Sequence, residues 1–287
     1  MIFEYGYPIL AAAEHAAASG NEAAMFAKLR QLSLDDFGLL MLTMPAEAFP
    51  AMSALLPAMA SAEVQRNWTG ADGTNLLRQS LTFTRSVRAK YESVTGKPLS
   101  GAGILDYGCG YGRLLRLMMY YANNDQLAGC DPWDESIRLC QADGFRCRLD
   151  ITDYLPAELP YKPGAFDFIY AFSVFTHTSR RASETALAAL RKVIARKGLL
   201  AITIRPLEYW DIDPNFSKQA ASLRQRHREE GFVFMPHNRP AVDGDVTYGD
   251  TSMSFDYLDK LARGWKRIGY DRSLDDPYQI IVYLKPA

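Results

Sequence analysis

The sequence predicts an α/β protein: a doubly wound, mostly parallel sheet of seven strands with a helical N-terminal extension. Three observations predict it. Between residues 103 and 204, short apolar runs alternate with helical segments, a spacing that implies crossover helices on both faces of a parallel sheet. The segment before residue 98 holds helical periodicity only. The last two apolar runs flank the turn-forming Asp275-Asp276-Pro277, which makes them antiparallel neighbours. The expected organisation is a helical cap over residues 1–98 and an α/β domain over 99–287, with an insertion at about 206–250.

At the N-terminal end, residues 11–18 and 22–32 are strong helix formers, and Ser33-Leu34-Asp35-Asp36 has the chemistry of a capped helix start. Pro45, Pro50 and Pro57 break the next stretch of chain into short pieces. Residues 68–75 read as a loop. A long helix over 76–94 comes next, with Leu77, Leu81, Thr84, Val87 and Tyr91 at helical spacing, and Gly96-Lys97-Pro98 stops it. The predicted strands are 104–107, 127–131, 145–149, 166–172 and 199–204, with helices over 113–122, 135–142 and 183–195 between them. Residues 206–250 are polar, dotted with Pro and Gly, and read as a loop-rich insertion around one basic helical piece at 223–228. A helix over 255–263 and strands 265–270 and 278–284 close the chain.

Composition excludes several classes. With 48% hydrophobic and 23% charged residues the chain is an ordinary globular one, and 32 basic against 33 acidic residues remove the bulk electrostatic case for binding nucleic acid or an anionic membrane. No apolar run approaches the ~18–20 residues of a membrane span. Glu4 and Glu14 stand where a secretory leader would carry Lys or Arg, so the start reads as mature protein and the location as cytoplasmic. The cysteines at 109, 130, 140 and 147 form no C-x-x-C pair and read as reduced, buried thiols; no metal site is expected.

The chemistry concentrates in Ile104-Leu105-Asp106-Tyr107-Gly108-Cys109-Gly110-Tyr111-Gly112, where a buried strand runs into alternating glycines ahead of a helix. Glycine permits positive φ and close approach of a ligand to the main chain, and the helix start beyond offers N–H groups. Dinucleotide sites use G-x-G-x-x-G. Here the run is G-x-G-x-G with an acid two residues ahead, which disfavours a pyrophosphate and suits a ligand with a cationic amino group. The next strand ends in Gly129-Cys130-Asp131-Pro132-Trp133, its acid 25 residues after Asp106 and suited to paired ribose hydroxyls.

With Leu149-Asp150-Ile151 and the Phe166-Asp167 opening of a further strand, this series resembles the class I, Rossmann-like S-adenosylmethionine-dependent methyltransferases over about residues 103–204. The resemblance implies S-adenosyl-L-methionine as cofactor. It implies that Asp106, Gly108, Cys109, Gly110 and Gly112 hold the methionine end, that Asp131 holds the ribose, and that Pro132 or Trp133 faces the adenine. Asp150 then faces the adenine amino group, with Asp153 as competitor, and the Ile151 N–H faces a ring nitrogen. Phe172 and Ser173 shape the reacting end. Lys197-Gly198 matches the turn these enzymes place before the fifth strand.

His177, after the fourth strand, is the candidate catalytic base, because imidazole titrates near neutrality; a helix cap is its structural alternative. His237 and Tyr248, near Arg239 and Asp250, are the candidate substrate residues. The loop at 68–75, with Arg78 or Arg85, is placed to close over the cofactor. The expected function is methyl transfer to a small-molecule or glycan acceptor at a hydroxyl, with no nucleic-acid or membrane partner and a homodimer as an open option. The alternatives are N- or C-methylation of a small molecule or peptide, or a binding protein without turnover.

Overall fold

A computed structural model describes residues 4–287; residues 1–3 of the expected cap lie outside the described residues. The chain forms two compact units that divide between Ile151 and Thr152.

In the first unit, helices α1 (Tyr7–Ala18), α2 (Glu22–Leu29), α3 (Leu34–Leu42), α4 (Pro50–Ser53), α5 (Ala62–Thr69) and α6 (Gly73–Thr95) precede strand β1 (Ile104–Tyr107). They are followed by α7 (Leu115–Met118), β2 (Leu127–Asp131), α8 (Asp134–Ala142) and β3 (Arg148–Ile151). Ser33 caps α3 as expected, its hydroxyl accepting from the Asp36 N–H at 3.0 Å. The expected 68–75 loop is shorter than predicted, because Trp68 and Thr69 finish α5 and Gly73 already starts α6. Strands β1, β2 and β3 pair in parallel, with Asp106 beside Gly129 and Asp131 beside Ile151.

The unit divides at Ile151 rather than near residue 98 because the helical cap packs onto α7. Leu77 and Leu81 of α6 share a buried cluster with Leu117. Arg116, 1% exposed, donates through Nη1 to the Ala58 carbonyl at 2.9 Å and lies 5.1 Å over the Phe145 ring. Tyr120 donates to the Leu32 carbonyl at 2.7 Å. The four cysteines are buried thiols. The hydrogen bond of Cys109 with Cys140, together with burial, holds its thiol well above the usual range, so it stays protonated.

The second unit holds β4 (Phe166–Ala171), α9 (Arg180–Val193), β5 (Ile194–Ile204), α10 (Tyr209–Ile212), α11 (Ala220–Glu230), β6 (Phe232–Pro236), β7 (Gly249–Met253), α12 (Phe255–Leu261), β8 (Trp265–Arg272) and β9 (Ile280–Pro286). β4 pairs with β5 in parallel, and β9 joins β5 and β8 antiparallel. Lys197-Gly198 is no turn ahead of β5. It is a bulge inside it, since Ile194 already pairs with Phe166, and a Cβ on Gly198 would stand 2.8 Å from the Asp167 carbonyl. Residues 206–250, expected as a loop-rich insertion around a basic helical piece at 223–228, hold that piece as α11 and add α10 and β6, which pairs antiparallel with β7. Tyr209, Trp210, Leu223 and Val233 give this region its own buried cluster.

The seven strands stand in the order β3-β2-β1-β4-β5-β9-β8, and β6-β7 form a separate sheet. No helix among the described residues is long and apolar enough to cross a membrane.

Candidate functional site

In the first unit the turn after β1 has Gly108, Gly110 and Gly112 at φ of 78°, 55° and 77°, where only glycine is unstrained. Gly112 is needed for space as well, because a Cβ there would stand 2.4 Å from the Phe145 ring. Asp131 at the end of β2 reaches back to this turn. Its Oδ2 accepts from the Gly110 N–H at 3.0 Å and its Oδ1 from the Trp133 N–H at 2.9 Å. Burial raises its pKa, while the N–H groups of Trp133 and Gly110 and the Ser136 hydroxyl work the other way. With three donors on about four lone-pair sites, the carboxylate keeps room to accept one further hydroxyl.

The remaining nucleoside candidates fall into place unevenly. Asp106 is buried at 3% exposure inside β1. Cys109 is buried, and Pro132 is half-buried beside Trp133. Ile151, 56% exposed, presents an apolar face next to Asp131 in the sheet register. Asp150 is engaged already: Arg148, two residues earlier on the same strand face, binds it through Nε at 2.8 Å and Nη2 at 3.3 Å. Trp133 is stacked at 4.8 Å and 17° on Trp68, a residue expected in a loop and found at the end of α5.

In the second unit Phe172 and Ser173 come directly after β4. Ser173 holds φ of 59°, and its N–H donates to Thr203 at 2.7 Å, which fixes the sharp exit of the strand. The next residues zip onto β7: Gly249 N–H donates to the His177 carbonyl at 2.8 Å and Thr251 N–H to that of Thr176 at 2.9 Å. Gly249 has to be glycine, since a Cβ would stand 2.1 Å from the Met235 carbonyl oxygen.

That zipper assembles a polar cluster. Arg205, at the end of β5 and 9% exposed, donates to Asp250 Oδ1 at 2.6 Å, to the Thr176 carbonyl at 2.9 Å and to His177 Nε2 at 3.0 Å. Its guanidinium lies 4.0 Å over the Tyr209 ring. The Tyr209 hydroxyl is 2.8 Å from Asp250 Oδ1, and burial pushes its pKa up. His237 donates through Nε2 to Asp250 Oδ2 at 2.7 Å while remaining 41% exposed. Tyr248 stacks on His177 at 5.1 Å, meets His237 edge-on at 5.4 Å and carries Arg239 at 4.4 Å. Burial works to raise the Asp250 pKa, but the contacts from His237, Arg205, His177 and Tyr209 prevail and hold it below the usual value.

This geometry corrects the expectation for His177. A guanidinium has no lone pair and stays charged, so Nε2 must accept from Arg205 and Nδ1–H must donate to the Gly249 carbonyl at 2.8 Å. Burial, followed by the Arg205 charge, lowers its pKa to about 3. A neutral imidazole with both nitrogens engaged and that pKa positions its neighbours; it does not collect a substrate proton. Arg205 and Tyr209 were missed in the sequence. Neither belongs to a short motif, and only the fold brings Arg205 to His177 and Asp250.

Residues 104–198 match the family model for a methyltransferase domain. No curated protein matches the chain. Among solved structures, a S-adenosylmethionine-dependent methyltransferase from Clostridium acetobutylicum is similar at 11% identity and a TM-score of 0.51, covering 79% of this chain and 97% of that one. DesVI from Streptomyces venezuelae is similar at 13% identity and a TM-score of 0.51, covering 80% and 99%. At these identities the likeness is one of fold.

Proposed function

We propose that this chain, an enzyme whose residues 104–198 are a class I S-adenosylmethionine-dependent methyltransferase domain, methylates a hydroxyl of a small-molecule or glycan acceptor. The residues suit the cofactor: the turn carries no side chain at Gly108, Gly110 or Gly112, Gly112 has no room for one, and Asp131 keeps a lone pair for a ribose hydroxyl. Asp131 would hold the sugar, the turn at Gly108–Gly112 the methionine end, and Ile151 one face of the adenine. The sulfonium of the bound cofactor supplies an already activated methyl group, so the protein has to position the acceptor, exclude water and take up a proton.

One observation carries the choice of oxygen: the 2.7 Å hydrogen bond between His237 Nε2 and Asp250 Oδ2. A buried carboxylate fixes the imidazole with Nε2 protonated, which leaves the Nδ1 lone pair as its acceptor on a half-exposed ring. Arg205 and Tyr209 hold the carboxylate in turn. In this reading His237 accepts the hydroxyl proton, Asp250 stabilises the imidazolium that forms, and His177 fixes Arg205. An amine acceptor that binds neutral has less need of such a base. Incubation with methyl-labelled cofactor and a panel of glycan, phenolic and peptide acceptors tests this. Label on a hydroxyl, lost in His237→Asn, is expected; label on nitrogen with His237→Asn unimpaired would exclude it.

A further inference from the structure

Trp68 belongs to the helical cap, outside the segment that matches the methyltransferase family model. Its indole nevertheless lies on the glycine turn: the ring stands 3.6 Å from the point a Cβ on Gly110 would occupy. It stacks on Trp133 at 4.8 Å and 17°, and meets Tyr111 edge-on at 5.8 Å. Gly110 and Trp133 are the two residues whose N–H groups bind the two oxygens of Asp131. The indole pair therefore adjoins both residues whose N–H groups hold the proposed ribose-binding carboxylate. An aromatic face beside them adds stacking area for a nucleoside.

The helix carrying Trp68 is tied down at both ends. Ser61 caps it, accepting from the Val64 N–H at 3.2 Å. Gln65, 4% exposed, donates to the Ala60 carbonyl at 2.7 Å and accepts from the Gly73 N–H at 3.0 Å. Thr69 donates back to the Gln65 carbonyl at 2.7 Å, and Arg66 pairs with Asp72 across the turn beyond the helix. An indole on so constrained a turn behaves as a fixed wall and not as a swinging plug.

We propose that Trp68, paired with Trp133, is a wall of the cofactor site supplied by the N-terminal cap, so that tight nucleoside binding requires the cap. The proposal rests on the methyl-transfer reading above. It is tested with S-adenosylhomocysteine, by calorimetry and by tryptophan emission. The chain has four tryptophans, of which Trp210 and Trp265 are buried in the second unit. Saturating the wild-type chain is expected to shift the emission. Trp68→Ala should bind about tenfold more weakly, and Trp68→Phe should keep most of the affinity while losing the larger part of the emission change. Trp68→Ala binding as the wild type does overturns the wall, and tighter binding overturns it in favour of an indole standing in the nucleoside's place. Should the alanine variant fail to fold, Trp68→Phe decides: an emission change equal to the wild type's overturns the proposal. A wild-type chain that binds no S-adenosylhomocysteine removes the methyl-transfer reading itself, and the wall with it.

Discussion

Arg205 donates to His177 Nε2 at 3.0 Å, so the arginine determines which tautomer the histidine adopts. The same guanidinium holds Asp250 at 2.6 Å, and Asp250 orients His237. One buried cation thus occupies the Nε2 lone pair of one imidazole and, through a shared carboxylate, orients another. Arg205→Lys should separate the two effects. Lysine keeps the charge but loses the fork that reaches both partners. Turnover is expected to fall by about 10- to 100-fold, in line with ~1.4–2.8 kcal/mol, with S-adenosylhomocysteine affinity unchanged by calorimetry. A matching loss of affinity would show that the cluster holds the cofactor instead.

Asp131 joins the glycine turn to the start of α8 through Gly110 and Trp133. Asp131→Ala removes the acceptor proposed for the ribose and leaves two N–H groups without their partner, so cofactor affinity should fall by about 2–3 kcal/mol. Asp131→Asn keeps the shape and should lose less. Calorimetry with S-adenosylhomocysteine reads both, and an affinity unchanged in Asp131→Ala would remove the ribose assignment.

Gly112 tests the turn by sterics. Its φ of 77° and the 2.4 Å approach of a built Cβ to Phe145 both act against a side chain. Gly112→Ala should cost about 1–3 kcal/mol of stability, seen as a lower melting temperature. Adding Phe145→Leu should restore part of the loss, because it removes the clash and leaves the backbone strain. A double variant no more stable than Gly112→Ala would show that strain alone is responsible.

These local features were legible because their signals lie within a few residues of each other. Alternating glycines, an acid two positions ahead and a second acid at the end of the next strand all reflect strand–turn–helix geometry. The hidden features depend on distant contacts. β7, Gly249-Asp250-Thr251-Ser252-Met253, is buried throughout yet has almost no apolar signature. Its polar side chains are satisfied by distant partners: Thr251 donates to the Thr178 carbonyl at 2.8 Å, while Ser252 meets Trp210 and His227 at 2.8 Å each. A strand buried through hydrogen bonds looks like a loop in sequence. The 68–75 segment was expected over the cofactor, but as a loop; the helical Trp68 and its contact with Gly110 were hidden, since that glycine lies 42 residues further along the chain.

Acid should weaken the fold through the buried histidines. The folded His177 pKa is lowered from 6.5 to about 3, by burial first and then by Arg205; burial also lowers that of His227. Below pH 6.5 the unfolded chain binds protons that the folded chain refuses, so stability rises with pH across the window from 3 to 6.5 and is lost as pH falls through it. His177 alone contributes a slope of up to about 1.4 kcal/mol per pH unit there. Urea unfolding at a series of pH values should show a shallower slope in His177→Asn than in the wild type. Equal slopes would place the imidazole in a protonated state inside the fold.

The base assignment has a test that a structural role cannot imitate. His237 is 41% exposed, so deleting its side chain opens a space that solutes reach. His237→Gly should lower turnover by about 10²–10⁴-fold, the usual worth of a positioned base, with S-adenosylhomocysteine affinity intact. Free imidazole should restore part of the activity, and the recovered rate should track the fraction of added imidazole that is unprotonated. The Asp250 carboxylate still faces the space and can orient the added ring as it orients the native one. Asp250→Asn in the same background should abolish the rescue, because an amide cannot stabilise the imidazolium that forms. If added base leaves His237→Gly inactive at every pH, His237 binds the acceptor without taking its proton, and the preference for a hydroxyl loses its support.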